Sequence, residues 1–294
     1  MKYLITGGTG FIGTHLTRAL LKDEQEVAIL TRSKQSSSHR YLTYLQWDGK
    51  RMPMGIGLYD VVINLAGASI AGAKWTESYK QKIRQSRIEA TQACVEYINH
   101  SPNPPQVFVS ASAVGIYGVN QSGPVDEQAS PGDDFPSAVG IEWEAEAQKA
   151  DIRTVIPRIG LVLGEDGGLM EKVEPIYRFY LGGKFASGKQ GYPWIHIDDV
   201  VRAIRFLVDT ETAQGPCNLV APEMIDQATF SHQLAKAMGV WDPWTIPKFA
   251  LDLLFGEQSL LFWGGQQVIP QKLQDAGFAF TYPALRPALE DIVD

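Results

Sequence analysis

Cysteine is nearly absent from this 294-residue chain, and its scarcity excludes the common patterns of a structural metal site. The two cysteines, Cys94 and Cys217, form no Cys-x-x-Cys pair and stand in no histidine–cysteine cluster. The sequence therefore predicts no bound metal. Cys94 falls in a helical pattern and Cys217 in a strand-like one, so we interpret both as small buried apolar side chains.

Basic clusters and long apolar runs are also lacking. The formal net charge is -7, which argues against a general nucleic-acid binder. The most apolar late stretch, residues 251–263, is interrupted by Asp252, Glu257 and Gln258 and is too short to span a bilayer. The first residues show no signal-peptide pattern. We therefore expect a soluble, cytoplasmic protein with neither a nucleic acid nor a membrane as its partner.

The first half of the chain alternates between strand-like and helix-like segments. Strands are predicted at 2–6, 26–31, 44–47, 60–65, 106–110 and 154–163, and helices at 11–22, 76–98 and 137–150. This alternation is typical of an α/β fold with a doubly wound parallel sheet of the Rossmann type. After Gly164 the pattern becomes less regular, so we predict a Rossmann domain over 1–164 and a smaller C-terminal substrate lobe over 165–294. The lobe is expected to be partly interleaved with the last strands of the sheet.

Pro157 lies inside the last of these predicted strands. Proline removes a hydrogen-bond donor from a sheet. We therefore expect either a bulge at Pro157 or an edge position for its strand.

The strongest motif is TGGTGFIG, Thr6 to Gly13, which joins a predicted strand to a predicted helix. Its spacing fits the dinucleotide fingerprint, in which glycines permit a tight turn and a close approach to a pyrophosphate. The helix start supplies free N–H groups and the positive end of the helix dipole. The contacts expected for a nicotinamide dinucleotide are Gly7, Thr9, Gly10, Phe11, Ile12 and Gly13.

The end of the second strand distinguishes NAD from NADP. An NAD site usually places a carboxylate there to bind the ribose 2′-hydroxyl. Here the strand ends in Thr31 and Arg32, and no acid follows. An arginine fork suits a 2′-phosphate, so we predict NADP with Thr31 and Arg32 as contacts. In the alternative, Arg32 is a solvated surface side chain.

Arg87 is a second cation of interest, because it shares a helical face with Ile83, Ala90 and Cys94. A charge on an apolar face needs a partner. We expect a phosphate or carboxamide of the cofactor, and we keep a buried ion pair with a protein carboxylate as an equal alternative.

Several motifs together carry a resemblance over nearly the whole chain. They are TGGTGFIG, NLAGASIAG (64–72), SRIEAT (86–91), SASAVGIYG (110–118), RIGLVLG (158–164), LGGKFASGKQGYPWIHIDD (181–199) and VIPQKLQDAGFAFTYPAL (268–285). The chain resembles the extended short-chain dehydrogenases/reductases, and more narrowly the NAD-dependent epimerase/dehydratase-like family with a C-terminal domain of unknown function. The resemblance implies that Leu65, Ala66 and Gly67 line the adenosine side of the cofactor. It also implies that Arg87 replaces a cofactor-side asparagine and that Val162 lies near the nicotinamide.

The resemblance further implies catalysis by a serine, a tyrosine and a lysine, the last two spaced four apart on one helix. Ser112 matches the serine. The expected helix, SAVGIEWEAEAQKA (137–150), contains no tyrosine, so the Tyr-x-x-x-Lys pair is absent. Replacement candidates are Tyr117, Glu142 and His196, of which we select Tyr117. In the alternative, Tyr117 packs a turn, Glu142 and Glu144 are solvated helix charges, and His196 is structural.

Two functions are consistent with these patterns. The first is an NADP-dependent oxidoreductase or epimerase for an unidentified small hydroxyl- or carbonyl-bearing substrate, in a pocket lined by Trp75, Tyr117, Trp194 and His196. The second is a catalytically degenerate NADP(H)-binding sensor, which the missing Tyr-Lys pair favours. We leave a homodimer open, since the sequence does not give the oligomeric state.

Overall fold

The computed structural model describes residues 1–119 and 123–293. Its strands, in chain order, are β1 (Lys2–Thr6), β2 (Glu26–Thr31), β3 (Leu42–Gln46), β4 (Val61–Asn64), β5 (Val107–Ser110), β6 (Ser112–Ala113), β7 (Pro124–Val125), β8 (Thr154–Ile159), β9 (Leu161–Gly164), β10 (Gly167–Gly168), β11 (Gly183–Phe185), β12 (Trp194–His196), β13 (Gly215–Leu219), β14 (Trp244–Ile246) and β15 (Gln267–Val268). Its α-helices are α1 (Phe11–Lys22), α2 (Glu77–Asn99), α3 (Phe135–Ala147), α4 (Met170–Arg178), α5 (Ile197–Asp209), α6 (Gln227–Ala237), α7 (Lys248–Phe255), α8 (Leu260–Trp263), α9 (Gln271–Asp275) and α10 (Leu285–Val293).

The main sheet has the strand order β13-β8-β5-β4-β1-β2-β3, with β6 beside β8. The pairs from β8 through to β3 are parallel. Strands β1, β4 and β5 are buried almost throughout, as expected for strands covered on both faces. The predicted Rossmann-type fold class is confirmed. The carboxyl ends of parallel strands, where such folds bind ligands, carry Thr6, Thr31, Asn64 and Ser110.

The sheet contradicts one expectation about Pro157. Strand β8 lies between β13 and β5, so Pro157 is not in an edge strand. Its neighbour is interrupted instead: β5 pairs with β8 only at Thr154 and Val155, and β6 resumes pairing after a break at Ala111. Because β5 and β6 do not form a continuous strand beside β8, the sheet tolerates the missing N–H of Pro157.

The predicted strand over 154–163 is two strands, which separate at Gly160. The Gly160 N–H donates to the carbonyl of Leu219, and the Leu161 N–H donates to that of Pro193. A Cβ at Gly160 would lie 2.5 Å from the Pro193 oxygen. The chain therefore leaves the main sheet at a glycine and enters a second sheet, of order β10-β9-β12.

The chain folds into two compact units, each built from several segments. The first contains Met1–Ser112, Val139–Arg158 and Val201–Cys217, and the second contains Ala113–Ala138, Ile159–Val200 and Asn218–Asp294. The boundary at Gly164, with a C-terminal lobe partly interleaved with the last strands of the sheet, stays a prediction from the sequence.

Each unit has its own apolar core. In the first unit, strand residues such as Leu4, Val62 and Phe108 pack with Cys94 and Ile98 of α2. In the second, a cluster around Trp194 and Phe230 includes Leu285 and Leu289 of α10. Both cysteines are buried thiols, as interpreted from the sequence. Within the described residues, no helix is both long and apolar enough to cross a membrane.

Candidate functional site

The turn between β1 and α1 can be formed only by glycine at two positions. Gly7 has a φ of +67°, and a Cβ there would lie 2.5 Å from the carbonyl oxygen of Leu65. A Cβ at Gly13 would lie 2.3 Å from the carbonyl oxygen of Gly7, so the helix packs tightly on the turn. The two glycines therefore allow backbone segments to approach each other closely at this turn.

The first turn of α1 has unused donors. Its N-cap residue, Gly10, provides no side-chain hydrogen bond, and no acidic residue occupies the first turn. Helix starts leave several N–H groups without intrahelical acceptors, here those of Phe11, Ile12 and Gly13. Thr9 and Gly10 are exposed beside them. The N-terminus of α1 can therefore receive an anion.

Thr31 and Arg32 lie directly beside this turn. The register of β1 and β2 pairs Thr6 with Leu30, so Thr31 is the next residue in register with Gly7, and Arg32 follows it. Thr31 is buried, whereas Arg32 is exposed. Within 1–119 and 123–293 the Arg32 guanidinium forms no ion pair, so it is free to hold a phosphate of a ligand at the turn.

Asn64 organises the neighbouring strand end. Its fully buried side chain accepts a hydrogen bond from the Thr6 hydroxyl at 2.6 Å and donates to the hydroxyls of Thr91 and Ser110, at 2.9 and 3.3 Å. The Ala66 N–H also donates to Asn64, at 3.3 Å. This network fixes the predicted contact residues Leu65, Ala66 and Gly67 beside the glycine turn. The role of Asn64 was not predicted from the sequence.

Arg87 lies against the same segment. Its Nη1 donates to the carbonyls of Ala68 and Ile83 at 3.0 and 2.9 Å, and its guanidinium lies 5.1 Å from the ring centre of Trp143. Burial lowers the pKa of Arg87 to about 10, so the side chain remains a cation at neutral pH. Among the described residues no carboxylate pairs with it, which removes the protein ion pair as its explanation. A half-buried cation with unused donors favours an anionic ligand.

Ser112 is joined to a buried ion pair of the first unit. Its hydroxyl donates to Glu144 Oε1 at 2.7 Å. Arg158 donates to both oxygens of Glu144, each at 2.8 Å. The three residues are 3%, 5% and 6% exposed. Strand ends and helix α3 thus place a serine, a carboxylate and a guanidinium together, away from bulk water.

The rest of α3 behaves differently. Glu142 is exposed and pairs with Arg84 at 2.5 Å, in agreement with a solvated helix charge. The same alternative is wrong for Glu144, because Glu144 is buried. Trp143 donates from Nε1 to the Thr91 hydroxyl at 3.0 Å. Helix α3 contains neither tyrosine nor lysine.

The remaining predicted residues lie in the second unit. Tyr117 is fully buried, and its hydroxyl donates to Asn218 at 2.7 Å. Val162 is in β9, paired with Ile195. His196 is buried; its Nδ1 accepts from the Asp198 N–H at 3.2 Å, and its Nε2 lies 3.3 Å from an Asp291 oxygen. Burial lowers the pKa of His196. The structure therefore joins Ser112 to Glu144 and Arg158, and Tyr117 to Asn218.

The tryptophans expected at a pocket are both largely buried. Trp75, in the first unit, donates to the carbonyl of Ile70 at 2.8 Å. Trp194, in the second unit, donates to the carbonyl of Glu223 at 3.3 Å. Their N–H groups thus satisfy local backbone carbonyls. Within 1–119 and 123–293, histidine, cysteine and acidic side chains form no group of three that could hold a metal ion.

Two family models match the chain. The model of the NAD dependent epimerase/dehydratase family matches residues 3–219. The model of a domain of unknown function, DUF1731, matches residues 246–292.

Individual proteins show the same likeness. Epimerase family protein SSP1921 of Staphylococcus saprophyticus is 43% identical over 99% of each chain. Among solved structures, human epimerase family protein SDR39U1 with NADPH has a TM-score of 0.92 and 32% identity, covering 100% of this chain and 99% of that one. A nucleoside-diphosphate sugar epimerase from Corynebacterium glutamicum has a TM-score of 0.78 and 28% identity; the match covers 100% of this chain and 58% of that one.

Proposed function

The chain belongs to the NAD-dependent epimerase/dehydratase family, and from this premise we propose that it is an NADP(H)-binding oxidoreductase or epimerase-like enzyme. Its substrate is a small molecule with a hydroxyl or carbonyl group. The membership agrees with the resemblance drawn from the sequence motifs.

The observation that carries this proposal is the turn from β1 to α1. Gly7 and Gly13 leave no room for a side chain, and α1 begins without a side-chain cap. These features fit the pyrophosphate of a dinucleotide, which needs closely approaching backbone and free N–H donors. The contacts would be Gly7, Thr9, Gly10, Phe11, Ile12 and Gly13, with Leu65, Ala66 and Gly67 beside the adenosine.

Two guanidinium groups support NADP in particular. The Arg32 guanidinium forms no ion pair among the described residues, and Arg32 follows the strand whose usual terminal carboxylate is missing here. Arg87 would add positive charge beside Gly67, where a Cβ would lie 3.2 Å from its Cζ. A second phosphate group on the ribose would satisfy Arg32. The human relative was solved with NADPH, which agrees with this assignment.

When bound, the nicotinamide ring would accept or donate a hydride. The chain itself would bind and orient both reactants, with Ser112 at the carboxyl edge of the sheet. Tyr117 remains our proposed proton donor, and Val162 our proposed contact of the nicotinamide.

A second function is favoured by one observation. Helix α3 carries neither member of the Tyr-x-x-x-Lys pair, so the chain could bind NADP(H) without turnover and act as a sensor. Sustained NADPH consumption with any carbonyl substrate would exclude this function.

Calorimetry with NADPH and NADH tests the cofactor proposal. We expect NADPH to bind at least tenfold more tightly, because a charge-assisted hydrogen bond contributes about 1.5–3 kcal/mol. Arg32→Asp should reverse the order, since a carboxylate repels the 2′-phosphate and can bind the 2′-hydroxyl. Arg286→Asp makes the same change in α10 at an exposed arginine that pairs with Glu290, and it should leave the order unchanged. Equal affinities in the wild type would refute the assignment of NADP.

A further inference from the structure

The hydroxyl of Ser112 has a fixed hydrogen-bond polarity. Its hydrogen points to Glu144 Oε1, 2.7 Å away. An ionised carboxylate can only accept hydrogen bonds. The oxygen of Ser112 therefore presents lone pairs, and not a hydrogen, to any other group that approaches it.

Arg158 keeps this polarity in place. It donates from Nε to Oε1 and from a terminal nitrogen to Oε2, each at 2.8 Å. Such a two-bond contact fits a charged carboxylate and orients it in its plane. Because the Arg158 and Glu144 side chains are only 7% and 6% exposed, water competes little with these bonds. The two bonds from Arg158 therefore hold the carboxylate in place against Ser112.

We propose that Ser112 accepts a hydrogen bond from the hydroxyl group of the substrate, so that the site recognises an alcohol in preference to the corresponding carbonyl compound. This inference rests on the proposed function and deepens it by naming the substrate form that binds. It gives Glu144 and Arg158 the role of positioning residues, which act through Ser112. No proton donor on α3 is needed for this recognition.

The preference follows from the cost of a mismatched contact. A hydroxyl ligand would donate to Ser112, whereas a carbonyl oxygen would face its lone pairs without any hydrogen between the two oxygens. Ser112 is 3% exposed, so water could not easily fill the mismatch. Sites that hold buried polar groups reject ligands that cannot pair with them. We expect at least a tenfold difference in affinity.

Cyclohexanol and cyclohexanone are matched probes that differ at the oxygen-bearing carbon. Their binding is measured by ligand-observed NMR titration of the cofactor-free protein. It is repeated for cyclohexanol with NADPH and for cyclohexanone with NADP⁺, two combinations in which no hydride transfer can occur. The readout is therefore affinity and not turnover. In wild-type protein we expect cyclohexanol to bind at least ten times more tightly than cyclohexanone.

Variants assign the preference to Ser112. Ser112→Ala should weaken cyclohexanol binding about tenfold and leave cyclohexanone unchanged, while Ser112→Thr, which keeps the hydroxyl, should restore the preference. Glu142→Gln alters an exposed carboxylate two residues before Glu144 and should have no effect.

Three results would overturn the proposal. They are equal or tighter binding of cyclohexanone, a preference that survives in Ser112→Ala, and binding of neither probe. If the wild type shows no preference between the probes and Ser112→Ala lowers the affinity for NADPH, the hydrogen bond that Ser112 accepts would instead come from the carboxamide of the cofactor. Failure of the cofactor proposal is separate, because it appears as loss of NADPH binding while the probe preference of the cofactor-free protein persists.

Discussion

Replacing Arg158 by methionine should destabilise the first unit strongly at neutral pH. The variant leaves the Glu144 carboxylate buried, with the Ser112 hydroxyl as its described partner. Breaking a buried pair by removing one charge costs about 3–5 kcal/mol, because the other charge stays without compensation. Domains of ordinary stability unfold at a cost of about 5–15 kcal/mol, so this loss would be a large share of the total.

The exposed pair of Arg84 and Glu142 supplies the matched control. Their side chains are 57% and 41% exposed, and exposed pairs contribute about 0–1 kcal/mol. Arg84→Met should therefore lower the free energy of unfolding by no more than that amount. The free energies are measured by urea denaturation, followed by circular dichroism and by tryptophan fluorescence.

One further variant identifies buried charge as the cause. Adding Glu144→Gln should recover part of the stability, since the second change removes the isolated charge. A loss below about 1 kcal/mol at neutral pH, or a double variant no more stable than the single one, would refute this reasoning.

Three other predictions concern single residues. In urea denaturation, Gly7→Ala should lower the free energy of unfolding by at least about 1–2 kcal/mol more than Gly55→Ala does. Both glycines have positive φ, but a Cβ at Gly7 would lie 2.5 Å from a carbonyl oxygen, whereas nothing lies within 4 Å of a Cβ at Gly55. Equal losses of stability would show that the structure relaxes around the added methyl group. Cys94 should resist thiol reagents until the protein unfolds, because complete burial raises the pKa of its thiol; rapid labelling in native protein would contradict this. Burial lowers the pKa of His196. Wild-type stability should therefore fall as the pH drops below about 6.5, where the histidine of the unfolded chain gains a proton. The His196→Asn variant should show a weaker fall in stability over the same pH range.

The first part of the fold could be predicted from local patterns. The bounds of β1, α1 and β2 agree with the sequence expectation, because a strand, a glycine turn and an amphipathic helix each leave a local signature. Helix α2 begins within one residue of the predicted start, because Thr76 is its N-cap and its hydroxyl accepts from the Tyr79 N–H at 3.2 Å. The division of 154–163 at Gly160 was not predictable, since apolar runs look alike whichever sheet they enter.

The Glu144 contact shows why the polar part of the site was harder to predict. Glu142 and Glu144 are two apart on one helix, yet one is solvated and the other buried, and composition alone treats them alike. A signal was present in Arg158, a charge within an otherwise apolar strand. Such a charge requires a partner, but the sequence does not say which of several acids provides it.

Asp199 connects the beginning of α5 to the C-terminal segment, and this has a consequence for protein engineering. Its fully buried carboxylate accepts hydrogen bonds from the N–H groups of Thr281 and Tyr282, at 2.9 and 2.8 Å, while Leu285 and Leu289 are core residues of the second unit. The segment matched by DUF1731 is therefore not a detachable module, although it is described by its own family model. Chimeras between relatives that exchange only this tail would have to inherit its buried contacts as well, and a tail deletion would expose a core.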